Sequence, residues 1–200
     1  FTDTYVGDFE TTVFDGQTFT EVWASALVKM HTEDVKIHHS IDDTFSFLCS
    51  QNKNIVVYYH NLKFDGSFWL SYLKVNLGWS EACTREQRTD EHGNVYEDFS
   101  FLRQKDMKNN TFTYSISNMG QWYTIILKCD DRFIEIRDSL KLLPFSVKRI
   151  GDSFKTKHRK LEMEYTGFRY AGCEITEQEQ EYIANDVLVV KEALEIMFQN

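Results

Sequence analysis

The 200-residue chain has one proline, no Gly/Ser-rich run and no internal repeat, so nothing in it marks a linker or a second unit. Its four cysteines, Cys49, Cys83, Cys129 and Cys173, form no C-x-x-C pair. That spacing argues against a zinc knuckle, a thioredoxin-like motif or a disulfide framework, and reduced, mostly buried thiols are expected instead. No apolar run approaches the roughly 20 residues of a membrane span; Lys, Glu or Asp interrupts every hydrophobic stretch, so no membrane partner is expected. The start, Phe-Thr-Asp-Thr-Tyr-Val-Gly-Asp, lacks the basic and apolar regions of a signal peptide. A cytoplasmic, non-secreted chain is expected, and Phe rather than Met at position 1 suggests a piece of something longer.

Hydrophobic residues make up 42% of the chain, with 16 Phe, 10 Tyr and 4 Trp, which excludes a disordered spacer and is enough for a sizeable core. Formal charge is −9, but residues 141–160 carry seven basic residues against one acid, leaving −15 on the rest. An acidic protein with one basic segment can still hold a polyanion if that segment faces it.

Alternation predicts strands at Tyr5–Glu10, Glu21–Val28 (after an Asp15-Gly16 turn), Asp34–His39 and Asn54–His60, the last an apolar, β-branched run. Further strands are expected at Phe112–Ile116, Gln121–Leu127 and Arg132–Arg137. Ser40 precedes a helix over Ile41–Ser50 with two acids in its first turn. Helical spacing recurs over Phe64–Val75, and Pro144 is a candidate start for a helix reaching Phe154. A long helix closes the chain behind the capping box Thr176-x-x-Glu179, with Ile183, Val187, Val190, Leu194 and Met197 as its apolar stripe. The polar stretch 81–111 reads as an exposed insertion, a hairpin turning near His92-Gly93-Asn94. The class is α/β, in one domain over 1–200.

Three signals carry chemistry. In Asp8-Phe9-Glu10 the strand repeat puts both carboxylates on one face. After the apolar strand, His60 and Asn61 lead to Asp65 near a helix start, a place where functional groups gather in α/β sheets. On the last helix Tyr182 and Asp186 are four apart and share a face. Singly, each fits a solvated strand end, a helix cap or a Tyr–Asp hydrogen bond. Together they supply four carboxylates and a phenol, a hard oxygen set suited to Mg²⁺ or Mn²⁺ rather than zinc.

Asp8-Phe-Glu10, Asn61-x-x-x-Asp65 and Tyr182-x-x-x-Asp186 resemble the three exonuclease motifs of proofreading DNA polymerases, the DEDDy branch of the ribonuclease H-like exonucleases. The longer phrases Asp8-Phe-Glu-Thr-Thr12, His60-Asn-Leu-Lys-Phe-Asp-Gly66, Met119-Gly-Gln-Trp-Tyr123 and Asp138-Ser-Leu-Lys-Leu-Leu-Pro-Phe-Ser-Val-Lys148 are similar to protein-primed family B DNA polymerases of phages and linear plasmids. The resemblance spans nearly the whole chain. It implies a mixed five-stranded sheet flanked by helices, and 3′→5′ removal of nucleotides from single-stranded DNA ends with two ions, Mg²⁺ or Mn²⁺. It implies that Asp8, Glu10, Asp65 and Asp186 hold the metals and that Tyr182 orients the attacking water. Strand contacts carried over by the resemblance are Thr11, Asn61, Phe64, Ser139, Leu140 and Lys160, with Tyr58, His60 and Phe68 around the bound strand. The polymerase half, with its nucleotide site and terminal-protein contacts, is expected beyond Asn200. Two rival readings are a freestanding DEDD-type RNA exonuclease and a non-catalytic docking module for nucleic acid or a primer protein.

Overall fold

Alternation along the first strand sorts its side chains onto two cores. In the computed structural model, which describes residues 2–116 and 122–199, β1 spans Thr2–Glu10. Tyr5 and Phe9 enter one core, while Val6 enters the other. Beside β1 lie β2 (Ala24–Lys29), antiparallel to it, and β4 (Asn54–Tyr59), parallel to it. Strand β3 (Val35–His38) extends the β2 edge, and β10 (Arg132–Asp138) runs parallel to β4 on the other side. These five, in the order β3-β2-β1-β4-β10, are the expected mixed sheet.

The sheet does not stop there. Antiparallel β9 (Trp122–Cys129) and β8 (Thr111–Ile116), then the short parallel β5 (Ser80–Glu81), bring it to eight strands. The expected five-stranded mixed sheet is the core of this sheet, and strand pairing at the β10 edge continues it by three further strands. Residues Met119–Gln121 of the phrase Met119–Tyr123, and the side chains of Trp122 and Tyr123, lie outside the described residues.

Helices cover both faces. On one, α1 (Ile41–Ser50) and α2 (Leu62–Ser71) pack over Phe9, Val57, Tyr59, Ile125 and Ile136. The Ser40 hydroxyl accepts the Asp43 N–H at 3.1 Å, the expected cap. Helix α2 starts two residues before the anticipated Phe64 and passes into a π-turn over Tyr72–Asn76. On the other face, α4 (Glu177–Gln199) buries Ile183, Val187, Val190 and Leu194 against Val6, Ala26 and Val28. Its capping box is formed: the Thr176 hydroxyl accepts the Glu179 N–H at 3.2 Å, and the Glu179 carboxylate accepts the Thr176 N–H at 3.0 Å. Helix α3 spans Val147–Phe154 and is capped by the Ser146 hydroxyl, not started by Pro144. Pro144 sits in the preceding turn, where φ is fixed but no helical bond is yet needed.

Within 81–111 the expected hairpin is β6 (Cys83–Thr89) against β7 (Val95–Phe101), turning through Asp90–Asn94, whereas Ala82 and Met107 are buried and Glu81 and Thr111 belong to the main sheet. Both faces of the hairpin are exposed, and Arg85–Glu97 and Arg88–Asp98 pair across it at 2.8 Å. All four cysteines are free thiols; Cys129 and Cys173 are buried, while Cys49 and Cys83 are partly exposed. No helix among the described residues is long and apolar enough to cross a membrane.

Candidate active site

The parallel strands β1, β4 and β10 end together, and each end delivers functional groups. Asp8 and Glu10 project from the end of β1 toward α4, on the face of Val6. Their backbone runs close to its neighbour at Gly7: a Cβ there would lie 2.7 Å from the Tyr59 ring. Only glycine lets the Tyr59 ring fill that space under the strand.

Asp186 meets them from α4. Carboxylate oxygens of Asp8, Glu10 and Asp186 lie within 4.8 Å of one another. Asp65, buried in the first turn of α2, stands outside this triple but within electrostatic reach of it. The charges are poorly compensated. Burial pushes the Asp8 carboxyl well above the usual range, and Glu10, Asp65 and Asp186 push it further. Burial and then Asp186 raise Glu10 to about 7. Asp65 is raised by burial and then by Glu10 and Asp138; Asp186 is raised by burial, with Lys160 opposing. Four carboxylates held in this state are stable only with protons or cations among them.

Lys160 is the cation the chain itself supplies. Its ammonium donates to both Asp186 oxygens at 3.1 and 3.2 Å and to the Tyr182 hydroxyl at 3.1 Å, and lies 4.9 Å over the Tyr182 ring. Helix periodicity puts Tyr182 beside Asp186, as expected, but only the fold brings Lys160 to both. Much of the basic segment is likewise engaged: Lys157 pairs with Glu33 and Arg159 with Asp152.

Several of the strand-contact candidates lie on the segments that follow β1, β4 and β10. Asn61 is exposed, in the left-handed region at φ 77°, and its backbone N–H donates to Asp138. Phe64 is 52% exposed, with its ring 5.6 Å from that of Phe68. Buried Ser139 and half-buried Leu140 open the short 3₁₀ turn after β10. His60 joins the two sides: Nδ1 lies 2.9 Å from the Ser139 hydroxyl and Nε2 2.6 Å from the Phe145 carbonyl oxygen. Burial holds the His60 imidazole below its usual pKa. Thr11 is buried just past β1. Gly7, Asp8, His60 and Asp186 line one small cleft.

Tyr58 is not brought to this centre. It is buried on β4 with its ring 6.0 Å from Phe198, near the far end of α4, and its hydroxyl accepts from Arg137 at 3.4 Å. Strand alternation gave its face, but the crossing of α4 decides its neighbours.

Two residues of the site are not among those expected there from the sequence, although one of them, Asp138, opens the phrase Asp138–Lys148. Tyr165 lies in an irregular stretch, yet its ring packs edge-on at 4.7 Å against Trp23 and at 5.7 Å against Tyr182. Its buried hydroxyl meets no acceptor at hydrogen-bonding geometry. Asp138 is the other, and neither shows a local spacing that would reveal it.

Residues 47–171 match the family of organellar and viral type B DNA polymerases. The chain is 35% identical over 205 residues to the DNA polymerase of Bacillus phage PZA, covering 98% of this chain and 30% of that protein. It is 31% identical over 164 residues to the DNA polymerase of Streptococcus phage Cp-1, covering 76% of this chain and 23% of that one. Among solved structures, Phi29 DNA polymerase complexed with single-stranded DNA superposes with a TM-score of 0.75 at 31% identity, over 98% of this chain and 31% of that chain. Phi29 DNA polymerase with primer-template DNA and incoming nucleotide gives 0.74 at 31% identity, with the same coverage. The chain thus spans about three tenths of the length of these relatives, and its architecture is the ribonuclease H-like exonuclease fold of that polymerase. By these matches the chain belongs to the organellar and viral type B DNA polymerases.

Proposed function

We propose that this chain is a two-metal 3′→5′ exonuclease acting on single-stranded DNA ends, the proofreading part of a protein-primed DNA polymerase. The observation that carries the reading is the convergence of Asp8, Glu10 and Asp186 within 4.8 Å, with Asp65 adding its charge and Lys160 as the cation paired with Asp186. Hard carboxylate oxygens whose ionisation is opposed by one another fit Mg²⁺ or Mn²⁺. Asp8, Glu10, Asp65 and Asp186 would hold two such ions. Bound there, they supply a lowered pKa for water and charge stabilisation at the leaving 3′-oxygen.

The chain's other residues bind and orient. The Tyr182 hydroxyl accepts from Lys160, which leaves its proton free to direct a water beside Asp186. Phe64, exposed at the start of α2, offers a face on which a terminal base can stack whatever its identity. Asn61, Ser139, Leu140 and Thr11 would hold the last nucleotides by hydrogen bonds and packing, with Phe68 and His60 supporting them. Lys160 would meet a phosphate. A DNA strand as substrate accords with the single-stranded DNA bound to the related Phi29 DNA polymerase. The incoming nucleotide and the terminal primer protein would be partners of the longer polymerase.

The test is degradation of a 5′-labelled single-stranded oligonucleotide with Mg²⁺ or Mn²⁺. Shortening from the 3′ end, arrest by EDTA, and loss of cleavage in a folded Asp65→Ala variant are expected. Undiminished cleavage in EDTA refutes the two-metal reading.

A further inference from the structure

Asp138 ends β10 with a carboxylate that is 7% exposed. A single oxygen of it, Oδ1, accepts two backbone N–H groups: that of Asn61 at 3.1 Å and that of Leu140 at 2.9 Å. One donor lies 77 residues before Asp138 in the chain and the other two residues after it. One is the left-handed residue between β4 and α2, which has no side-chain cap of its own. The other opens the 3₁₀ turn Ser139–Lys141. Asn61, Asp138 and Leu140 also line a cleft of about 270 Å³ together with Lys63, Lys141 and Pro144. One oxygen therefore ties the Asn61 and Leu140 backbones together, beside the His60–Ser139 contact, at the place where on the reading proposed above the strand is held.

We propose that Asp138 is a positioning residue for substrate: it touches no reacting atom, but its Oδ1 holds the Asn61 and Leu140 walls at the separation that grips a single strand. This rests on the exonuclease reading. Asn61 takes the left-handed conformation, which asparagine tolerates better than most non-glycine residues, and its N–H is fixed there by the Asp138 acceptor. Loss of the acceptor frees that N–H to turn to water and lets the wall move. His60 also links the two segments, through Ser139 and Phe145, but by its side chain, so it leaves the Asn61 and Leu140 N–H groups without an acceptor when Asp138 is lost. The function needs an acceptor rather than a charge, because both partners are neutral amides.

The chemistry separates the variants. Asp138→Asn retains an Oδ1 that can accept both N–H groups; Asp138→Leu has the shape without the acceptor. Binding of a short fluorescein-labelled oligo(dT) to the 200-residue chain in Ca²⁺, read by anisotropy, is paired with steady-state cleavage in Mn²⁺. For Asp138→Leu, affinity should fall and KM should rise by roughly tenfold or more, as for loss of a buried acceptor with two donors. At saturating Mn²⁺ kcat should stay within a few-fold, while Asp138→Asn keeps wild-type affinity and KM. Wild-type affinity and KM in Asp138→Leu overturn the proposal. So does an Asp138→Asn variant as impaired as Asp138→Leu, or a loss confined to kcat. Should Asp138→Leu fail to fold, Asp138→Ala decides by the same two readouts. Failure of the exonuclease reading looks different: the wild-type chain itself neither binds nor cleaves the oligonucleotide.

Discussion

Replacing Glu10 by Gln should stabilise the metal-free protein while destroying its activity. Burial and the Asp186 carboxylate raise Glu10 from 4.5 to about 7. A carboxyl whose folded pKa lies above its unfolded one imposes no cost below the lower value and the full cost above the higher one. That interval corresponds to roughly 3 kcal/mol at about 1.36 kcal/mol per pH unit. Asp8 and Asp186 share the repulsion, and a proton on one relieves the others, so the gain from neutralising Glu10 is about 1–3 kcal/mol. For a chain of this size that raises Tm by roughly 2–12 °C. The assay is thermal unfolding of wild type and Glu10→Gln in EDTA over a pH series. The variant should melt higher well above pH 7, and the two curves should converge as pH falls to the unfolded value. Saturating Mn²⁺ should shrink or reverse the difference, since a ligand at a hundredfold over its Kd stabilises the intact site by about 2.7 kcal/mol. Coincident melting temperatures in EDTA well above pH 7 would refute the claim that these carboxylates strain one another, and so would a gain that persists unchanged at acid pH.

Other outcomes follow from the same geometry. Tyr182→Phe should slow cleavage by about 10²- to 10⁴-fold if the phenol shares in proton transfer, and less if it only orients water. Its Mn²⁺ midpoint should not move, and loss of Mn²⁺ binding would contradict the assignment. Phe64→Ala should weaken single-stranded DNA binding by about 1–3 kcal/mol with an unchanged salt slope, because stacking is not ionic. Lys160→Ala should flatten that slope by about 0.7 if the ammonium meets one phosphate; an unaltered slope would confine Lys160 to its contacts with Asp186 and Tyr182. Gly7→Ala should destabilise by about 1–3 kcal/mol, as for an overpacked core, because its Cβ would overlap the Tyr59 ring; unchanged denaturant melting would show the ring yields freely.

What the sequence determined by itself is whatever depends on neighbours a few residues apart. The Ser40 and Thr176 caps, the shared face of Asp8 and Glu10, the pairing of Tyr182 with Asp186 and the 90–94 hairpin turn are all governed by short-range hydrogen bonds and by periods of two or 3.6. The motif phrases added which distant segments belong to one site, something no periodicity conveys. Tertiary structure decided the rest, because it turns on how layers cross. It extended the sheet by β9, β8 and β5 and carried Tyr58 to Phe198, away from the carboxylates. It set Lys160 on Asp186, packed Tyr165 against Tyr182, and tied Asn61 to Leu140 through one oxygen of Asp138. Each of these contacts joins segments with no local signal in common, and only close packing of the cores on the two sheet faces brings such atoms within a few ångströms.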